Sequence, residues 1–182
     1  RTLHKRALKE AVSILNNAQK PLIVAGGGVH YSQATETLRT FSETFGIPVS
    51  ETQAGKSAMS WKDPMSVGSV GVTGTSAANL LAKEADVVLV VGSRLQDFTT
   101  ASKQIFASDV ILLHLNVNKF DGFKMDSVML QADAKLGLEL LRKELSKAAF
   151  QTSNEYRNHV VKLQSEWNSE VDRLYKLESV DG

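Results

Sequence analysis

Three glycine-bearing turns hold the residue types in this chain best suited to chemistry, and that chemistry is the holding of a phosphate. The first is Gly26-Gly27-Gly28-Val29-His30-Tyr31. Glycines let backbone amides approach an anion, and a following helix start adds partial positive charge. As a dinucleotide fingerprint, Gly26-x-Gly28-x-x-Tyr31 carries Tyr31 where a third glycine would allow close helix packing. Glu51 closes the next apolar run, where an NAD-binding fold places an acid for the ribose. A tight turn, with or without a nucleotide phosphate beside it, is the reading the Tyr31 departure favours. The second turn runs from Gly68 through Gly71 and Gly74 to Thr75 and Ser76. It suits an anion site and a plainly capped helix equally, because Thr75 or Ser76 serves as N-cap in both. The third, Gly92-Ser93-Arg94-Leu95-Gln96-Asp97-Phe98, follows the most apolar run. There Arg94 is placed either to clamp a phosphate with its forked guanidinium or to pair locally with Asp97.

Other near-motifs fall away on inspection. Gly55-Lys56-Ser57 has Ser50, not glycine, five positions before Gly55, so a phosphate-wrapping P-loop is incomplete. His4, His30, His114 and His159 lack metal-ligand spacing, and scattered histidines are usually packed or surface residues. No Gly-x-Ser-x-Gly elbow offers a hydrolase nucleophile. With 0 cysteines there is no thiol nucleophile, disulfide or thiolate metal site, which fits a reducing, cytoplasmic compartment. No catalytic residue and no metal ligand is expected in this chain: its turns suit holding a nucleotide, and nothing in it suits breaking a bond.

The elements that must position these turns alternate along the chain. Leu22–Ala25, Ile47–Ser50, Val87–Val91, Val110–Leu115 and Val128–Leu130 are short apolar runs rich in β-branched residues. Continuous apolarity marks strands buried on both faces, hence a parallel sheet. Between them lie amphipathic patterns through Leu8, Val12 and Leu15; through Leu38, Phe41 and Phe45, closed by Gly46; through Ala77, Leu80 and Leu81; and through Leu138, Leu141 and Leu145 after the cap candidate Asp133. The expected fold is α/β: a Rossmann-like doubly wound parallel sheet of about five or six strands, with helices on both faces. Residues 52–75 read as one long ordered loop, and Tyr156 to Leu174 as one long amphipathic helix. The organisation expected is residues 1–150 as a nucleotide-binding-like domain and 151–182 as a long helix and linker toward a further domain.

Composition agrees. The 182 residues, 42% hydrophobic and 23% charged, fit one globular domain. Lys plus Arg number 21 against 20 Asp plus Glu, with no long block of either sign, so neither nucleic acid nor an acidic membrane surface is an expected partner. No apolar run is long enough to span a bilayer, and the start, Arg1 to Arg6, lacks the apolar core of a signal peptide. Without an initiator Met and running straight into a helical pattern, the chain reads as a piece of a longer one.

Taken together, the segments resemble a family. Lys20-Pro21-Leu22-Ile23-Val24-Ala25-Gly26-Gly27-Gly28, Gly46-Ile47-Pro48-Val49, Gly55-Lys56, Asp63-Pro64, Gly68 to Thr75, Ala78-Asn79, Ala85-Asp86-Val87 and Val91-Gly92-Ser93-Arg94 follow the order seen in the central domain of thiamine-diphosphate enzymes of the acetolactate synthase type. The resemblance spans roughly residues 7 to 145. Gln53 to Lys56, Arg94 to Thr100 and Asn116 to Asp121 most resemble the members that open a cyclic dione in inositol breakdown.

The resemblance implies a three-domain chain whose middle domain binds neither the thiazolium nor its metal. A cofactor-activating glutamate belongs to the preceding domain and a Gly-Asp-Gly metal motif to the succeeding one; Asp181-Gly182 is only the end of this sequence. In the full enzyme it implies thiamine diphosphate and Mg2+, hydrolysis of a carbon–carbon bond beside a ketone to give a deoxyglucuronic acid, flanking catalytic domains as partners, and a homo-oligomer. Some relatives bind FAD across this domain; the matching positions here are Gly26, Gly27, Gly28, Gly74, Thr75, Ser93 and Arg94. Phe98 stands where flavin-binding relatives carry a second arginine, and Asn116 and Asn118 where they carry acids. These departures point to a structural remnant of a nucleotide site. The alternatives are an FAD- or ADP-binding central domain of a carboligase and a freestanding nucleotide-binding module. An NAD-dependent deacylase of similar fold would usually need a four-cysteine zinc site, which 0 cysteines cannot supply.

Overall fold

A computed structural model describes residues 3–177. Arg1 and Thr2 of the signal-peptide reading, and Asp181-Gly182, lie outside the described residues. Six strands form one parallel sheet: β1 (Pro21–Ala25), β2 (Val49–Glu51), β3 (Ser66–Ser69), β4 (Val87–Val91), β5 (Ile111–Asn116) and β6 (Val128–Gln131). The strand order is β3-β2-β1-β4-β5-β6, a doubly wound arrangement that reverses direction between β1 and β4.

Continuous apolar sequence becomes burial on both faces. All five residues of β1 and all five of β4 are buried. Leu22, Val24, Val88 and Val90 belong to one core, while Ile23, Ala25, Leu89 and Val91 belong to another on the opposite face. The second of these cores is closed by α1 (Lys5–Asn17), α3 (Thr35–Phe45) and α7 (Ala134–Lys147), which contribute Leu15, Phe41, Phe45, Leu138 and Leu141. Each fully buried side chain of this size contributes about 1.5–3 kcal/mol. Gly46 ends α3 at φ +67°, and Asp133 caps α7 by accepting from the amides of Lys135 and Leu136.

The other core is covered by α4 (Ser76–Glu84) and α8 (Asn154–Tyr175). As the spacing predicts, α8 is one uninterrupted helix. Its first half packs on this domain: Tyr156, Val160 and Leu163 are buried, and the Tyr156 hydroxyl donates to the Pro21 carbonyl at 3.0 Å. Burial, and then the charges of Asp86 and Glu84, push that phenol far above its ordinary pKa. Gln164 donates to the carbonyls of Asp63 and Ser66 and ties α8 to the sheet edge.

The 52–75 stretch differs from the expected loop. It contains a single 3-10 turn (Gln53–Gly55) and the edge strand β3, paired to β2 with a register shift beside Val49. One ladder of hydrogen bonds suffices for an edge strand, so Ser66-Val67-Gly68-Ser69 needs no apolar run. Three one-turn helices also escape the periodicity: α2 (Gly28–Tyr31), α5 (Asp97–Thr100) and α6 (Phe120–Phe123). At the start of the two central strands, the Asp86 carboxylate accepts from the amides of Gln19 at 2.6 Å and Lys20 at 2.9 Å. Among the described residues no helix is long and apolar enough to cross a membrane.

Candidate functional site: a cleft at the crossing of two glycine turns

The chain leaves β1 through Gly26–Gly28 and leaves β4 through Gly92–Arg94. Because β1 and β4 are neighbours whose connections diverge, these turns meet at the point where such sheets open a crevice. They interlock. The amides of Gly26 and Gly28 donate to the carbonyls of Val91 and Gly92 at 2.8 and 2.9 Å. A Cβ at Gly26 would lie 2.5 Å from the Gly92 oxygen, and one at Gly28 would lie 2.6 Å from the Gly92 Cα. Gly92 itself has φ +61°. These are contacts that only glycine permits.

Beside the interlock is a cleft of about 610 Å³. Gly27, Gly28, Ser93 and Arg94 line it, so four of the seven residues expected at a nucleotide site meet on one wall. Arg94 is exposed and makes no ion pair among the described residues; the pairing with Asp97 does not form. The backbone amides of Gly27, Ser93 and Arg94 likewise find no acceptor among the described residues. An unpaired guanidinium and three residues whose amides lack an acceptor among the described residues thus border one opening, and these are the group types that suit an anion.

The rest of the lining comes from the end of β5, the turn into α6, α6 itself and the cap of α7. It presents Asn116, Asn118, Asp121 and Asp133. Burial works to raise the Asp133 pKa, but hydrogen bonds from Ser32 and from the amides of Leu136 and Lys135, with the Lys135 charge, hold it below the ordinary carboxylate value. The α7 N-terminus is therefore already occupied by its own carboxylate. Asn116 Nδ2 and His114 Nε2–H both donate to the Ser93 carbonyl, at 3.0 and 2.7 Å, and so fix the Arg94 turn from below. Burial, offset in part by the Ser93 bond and the Asp121 charge, lowers the His114 pKa and keeps the imidazole neutral. His114 Nδ1 and Asp121 Oδ2 are buried without a hydrogen-bond partner. Neither residue was marked for this role by the sequence: His114 sits inside an apolar run, and Asp121 in a short turn without periodicity.

Gly26, Gly74 and Thr75 do not line the cleft. The Thr75 hydroxyl donates to the Val67 carbonyl at 2.7 Å and accepts from the Ala78 amide at 2.9 Å, so it caps α4 and ties it to β3. Asn79 clamps Gly71 through both its amide and its carbonyl at 2.9 Å, and the Val72 amide donates to the Phe98 carbonyl. The second turn therefore buttresses the third. Glu51 also differs from the ribose acid that an NAD-binding fold would need. It is buried, and its carboxylate accepts from the amides of Met59 at 2.8 Å and Ser57 at 3.2 Å. A buried carboxylate needs such donors, and the loop after β2 supplies them. The other histidines are engaged locally: His30 Nε2–H donates to the Lys56 carbonyl, His4 accepts from the Arg6 amide, and His159 meets Glu84.

A doubly wound parallel sheet whose glycine turns cross at its switch point defines the class of Rossmann-like α/β domains. Within that class the chain belongs to the family described as thiamine pyrophosphate enzyme, central domain, whose sequence profile matches residues 8–141. Its relatives include the 3D-(3,5/4)-trihydroxycyclohexane-1,2-dione hydrolase of Clostridium tetani, 45% identical over 175 residues covering 96% of this chain and 27% of the relative. The protein of that name from Bacillus cereus is 42% identical over 95% of this chain and 27% of its own length. The one from Clostridium perfringens is 44% identical over 93% and 26%. The chain thus spans about a quarter of the length of these relatives.

Thiamine diphosphate is the cofactor this family implies, and it is held through a metal on its diphosphate. Among the described residues no group of three or more His, Cys, Asp or Glu side chains gathers to hold a metal ion. The residues of this chain do not fit that group, and no step through it is assigned to them.

Proposed function

We propose that this chain is the central, non-catalytic domain of a thiamine-diphosphate-dependent hydrolase that opens trihydroxycyclohexane-1,2-dione to 5-deoxyglucuronate in myo-inositol breakdown. The observation that carries this is the 45% identity to the Clostridium tetani hydrolase across 96% of the chain. In this reading thiamine diphosphate and Mg2+ are held by other domains of the longer polypeptide. Residues 1–150 form the central domain, and 151–182 lead toward a C-terminal domain. The full-length enzyme is a cytoplasmic homo-oligomer whose substrate is the cyclic dione. This chain's own residues provide a scaffold, and none of them moves a proton on the substrate. The test is turnover of the dione: the full-length protein should hydrolyse it only with thiamine diphosphate and Mg2+, and the 182-residue chain alone should not. Turnover by the isolated chain would overturn the proposal.

A second reading concerns the cleft. We propose that Gly27, Gly28, Ser93 and Arg94 retain the phosphate-holding part of a nucleotide site, with Gly26, Gly74 and Thr75 shaping the turns behind it. The three free amides beside an unpaired Arg94 support this. Two features favour an ADP-sized ligand over FAD: Phe98 in place of a second cation, and Gly74-Thr75 outside the cleft. Calorimetry with ADP, FAD and NAD tests it. ADP should bind and lose about tenfold in affinity in Arg94→Lys, which cannot form the bidentate fork. Equal heats for wild type and variant would leave the cleft an empty scaffold.

A further inference from the structure

We propose that the groove on the far side of the Arg94 turn is a second anion site, in which Arg94, Lys103 and Lys124 hold a phosphoryl or diphosphoryl group. This groove, of about 660 Å³, is lined by those three cations together with Gln96, Asp97 and Phe98. Arg94, Gln96 and Phe98 also line the cleft described above, so the two openings meet across a single turn.

Charge accounting separates this groove from an ordinary solvated surface. The whole chain carries a net charge of only +1, and of the three cations that line this groove Lys124 has Asp121 as its partner, while Arg94 and Lys103 together face one lining carboxylate, Asp97. Neither Arg94 nor Lys103 makes an ion pair among the described residues. Lys124 lies 3.5 Å from Asp121, whose side chain is only 6% exposed, so this lysine is already the partner of a buried carboxylate and joins the anion site from the rim while Arg94 and Lys103 supply its uncommitted charge. The Lys103 ammonium donates to the Lys124 carbonyl at 3.4 Å, which keeps the two lysines on the same rim. Arg94 and Lys103, held beside one another without an ion pair among the described residues, repel, and a multivalent anion relieves that repulsion.

The backbone supports the same conclusion. Leu95, Ala101, Ser102 and Lys103 have φ of 45°, 47°, 56° and 67°, so four non-glycine residues of this short segment occupy the left-handed region. Three of them are consecutive, an arrangement L-residues adopt only at a cost of roughly 1–2 kcal/mol each. Strain of this kind collects at ligand sites. Here it delivers Lys103 to the groove. The amides of Ser102, Lys103 and Gln104 are already used by Asp97, Thr100 and Ala101, so the anion would meet side chains and not a backbone nest. An Arg fork with two lysines matches a phosphoryl group better than a single carboxylate.

The experiment is calorimetry on the chain at low ionic strength with sodium pyrophosphate, ADP and adenosine, comparing wild type with Lys103→Ala, Lys103→Arg, Lys124→Gln and Arg94→Ala. Pyrophosphate should bind and weaken with added salt. Its affinity should fall about fivefold to tenfold in Lys103→Ala and Arg94→Ala and recover in Lys103→Arg with thermal midpoints unchanged, and should fall in Lys124→Gln together with the midpoint, because that change strips Asp121 of its partner. Adenosine should not compete. Tight ADP binding that resists added pyrophosphate would assign ADP to the cleft and pyrophosphate to the groove. Pyrophosphate that fails to bind at millimolar concentration overturns the proposal. So does affinity that depends on Arg94 but not on Lys103 or Lys124, because the anion then sits in the cleft. The nucleotide reading of the cleft stands or falls separately, on ADP and Arg94→Lys.

Discussion

His114 Nε2–H donates to the Ser93 carbonyl at 2.7 Å, and through that bond strand β5 sets the height of the turn that carries Arg94. Asn116, two residues along the same strand face, donates to the same oxygen.

The burial of His114 gives the fold a pH dependence. Desolvation lowers its pKa in the folded chain below the ordinary 6.5, so the unfolded chain binds the extra proton first. The contribution is fully present above the unfolded value and is lost as pH falls from there toward the depressed folded value. Urea unfolding midpoints should therefore drop between about pH 7.5 and 5.5, within the usual titration range of histidine. His114→Gln should flatten that drop while costing about 1–3 kcal/mol at neutral pH from the disturbed bond to Ser93. A variant that keeps the full acid sensitivity would show that another group is responsible.

Gly92 tests the interlock. In Gly92→Ala the new methyl would meet the Gly28 Cα at 2.6 Å with φ already at +61°. Neither backbone can retreat without breaking the bond from the Gly28 amide to the Gly92 carbonyl. A loss of about 2–4 kcal/mol is expected, combining overpacking and left-handed strain. Equilibrium denaturation measures it. A loss below about 1 kcal/mol would mean the turns part more easily than their contacts imply.

Glu51 is expected to be a structural carboxylate. Glu51→Gln keeps one acceptor for the two amides of Ser57 and Met59 and should cost about 1–2 kcal/mol. Limited proteolysis should then cut first in the stretch between Lys56 and Asp63. ADP affinity should not change, because Glu51 does not line the cleft.

Thr75 separates capping from ligand binding. Thr75→Ala should lower stability by about 1 kcal/mol through the lost N-cap and leave ADP affinity within twofold of wild type. An affinity loss as large as that of Arg94→Lys would place Thr75 at the ligand after all.

Much of the architecture is written in the local sequence. Val87 to Val91 could only be a strand buried on both faces, and Asp133 before a periodic apolar stripe could only start a helix. β3 was hidden because its single apolar residue, Val67, leaves no pattern to read, and its pairing depends on β2 standing beside it. The glycine turns were visible as phosphate-suited segments, whereas their separation into a cleft wall and a buttress was not. Thr75 and Arg94 look equally available in sequence, and only the Val67 and Ala78 partners of the Thr75 hydroxyl show which one is already committed. Glu51 shows the same limit of a position read without its partners. An acid at a strand end suits a ribose, but here the amides it serves lie six and eight residues later in its own loop.

The two cores that sandwich the sheet leave β1 and β4 with no polar side. A slip of one residue in their pairing would trade Leu22, Val24, Val88 and Val90 for Ile23, Ala25, Leu89 and Val91 without exposing anything hydrophilic, so the usual inside–outside code cannot choose the alignment. The choice falls to the ends of the strands. Asp86 grips the amides of Gln19 and Lys20 at one end, and Gly28 abuts Gly92 at the other, like dowels at both ends of a joint whose long faces are smooth. Hydrogen exchange in Asp86→Ala should show amides of β1 and β4 losing protection together, as expected if alignment is held at the tips and not along the length.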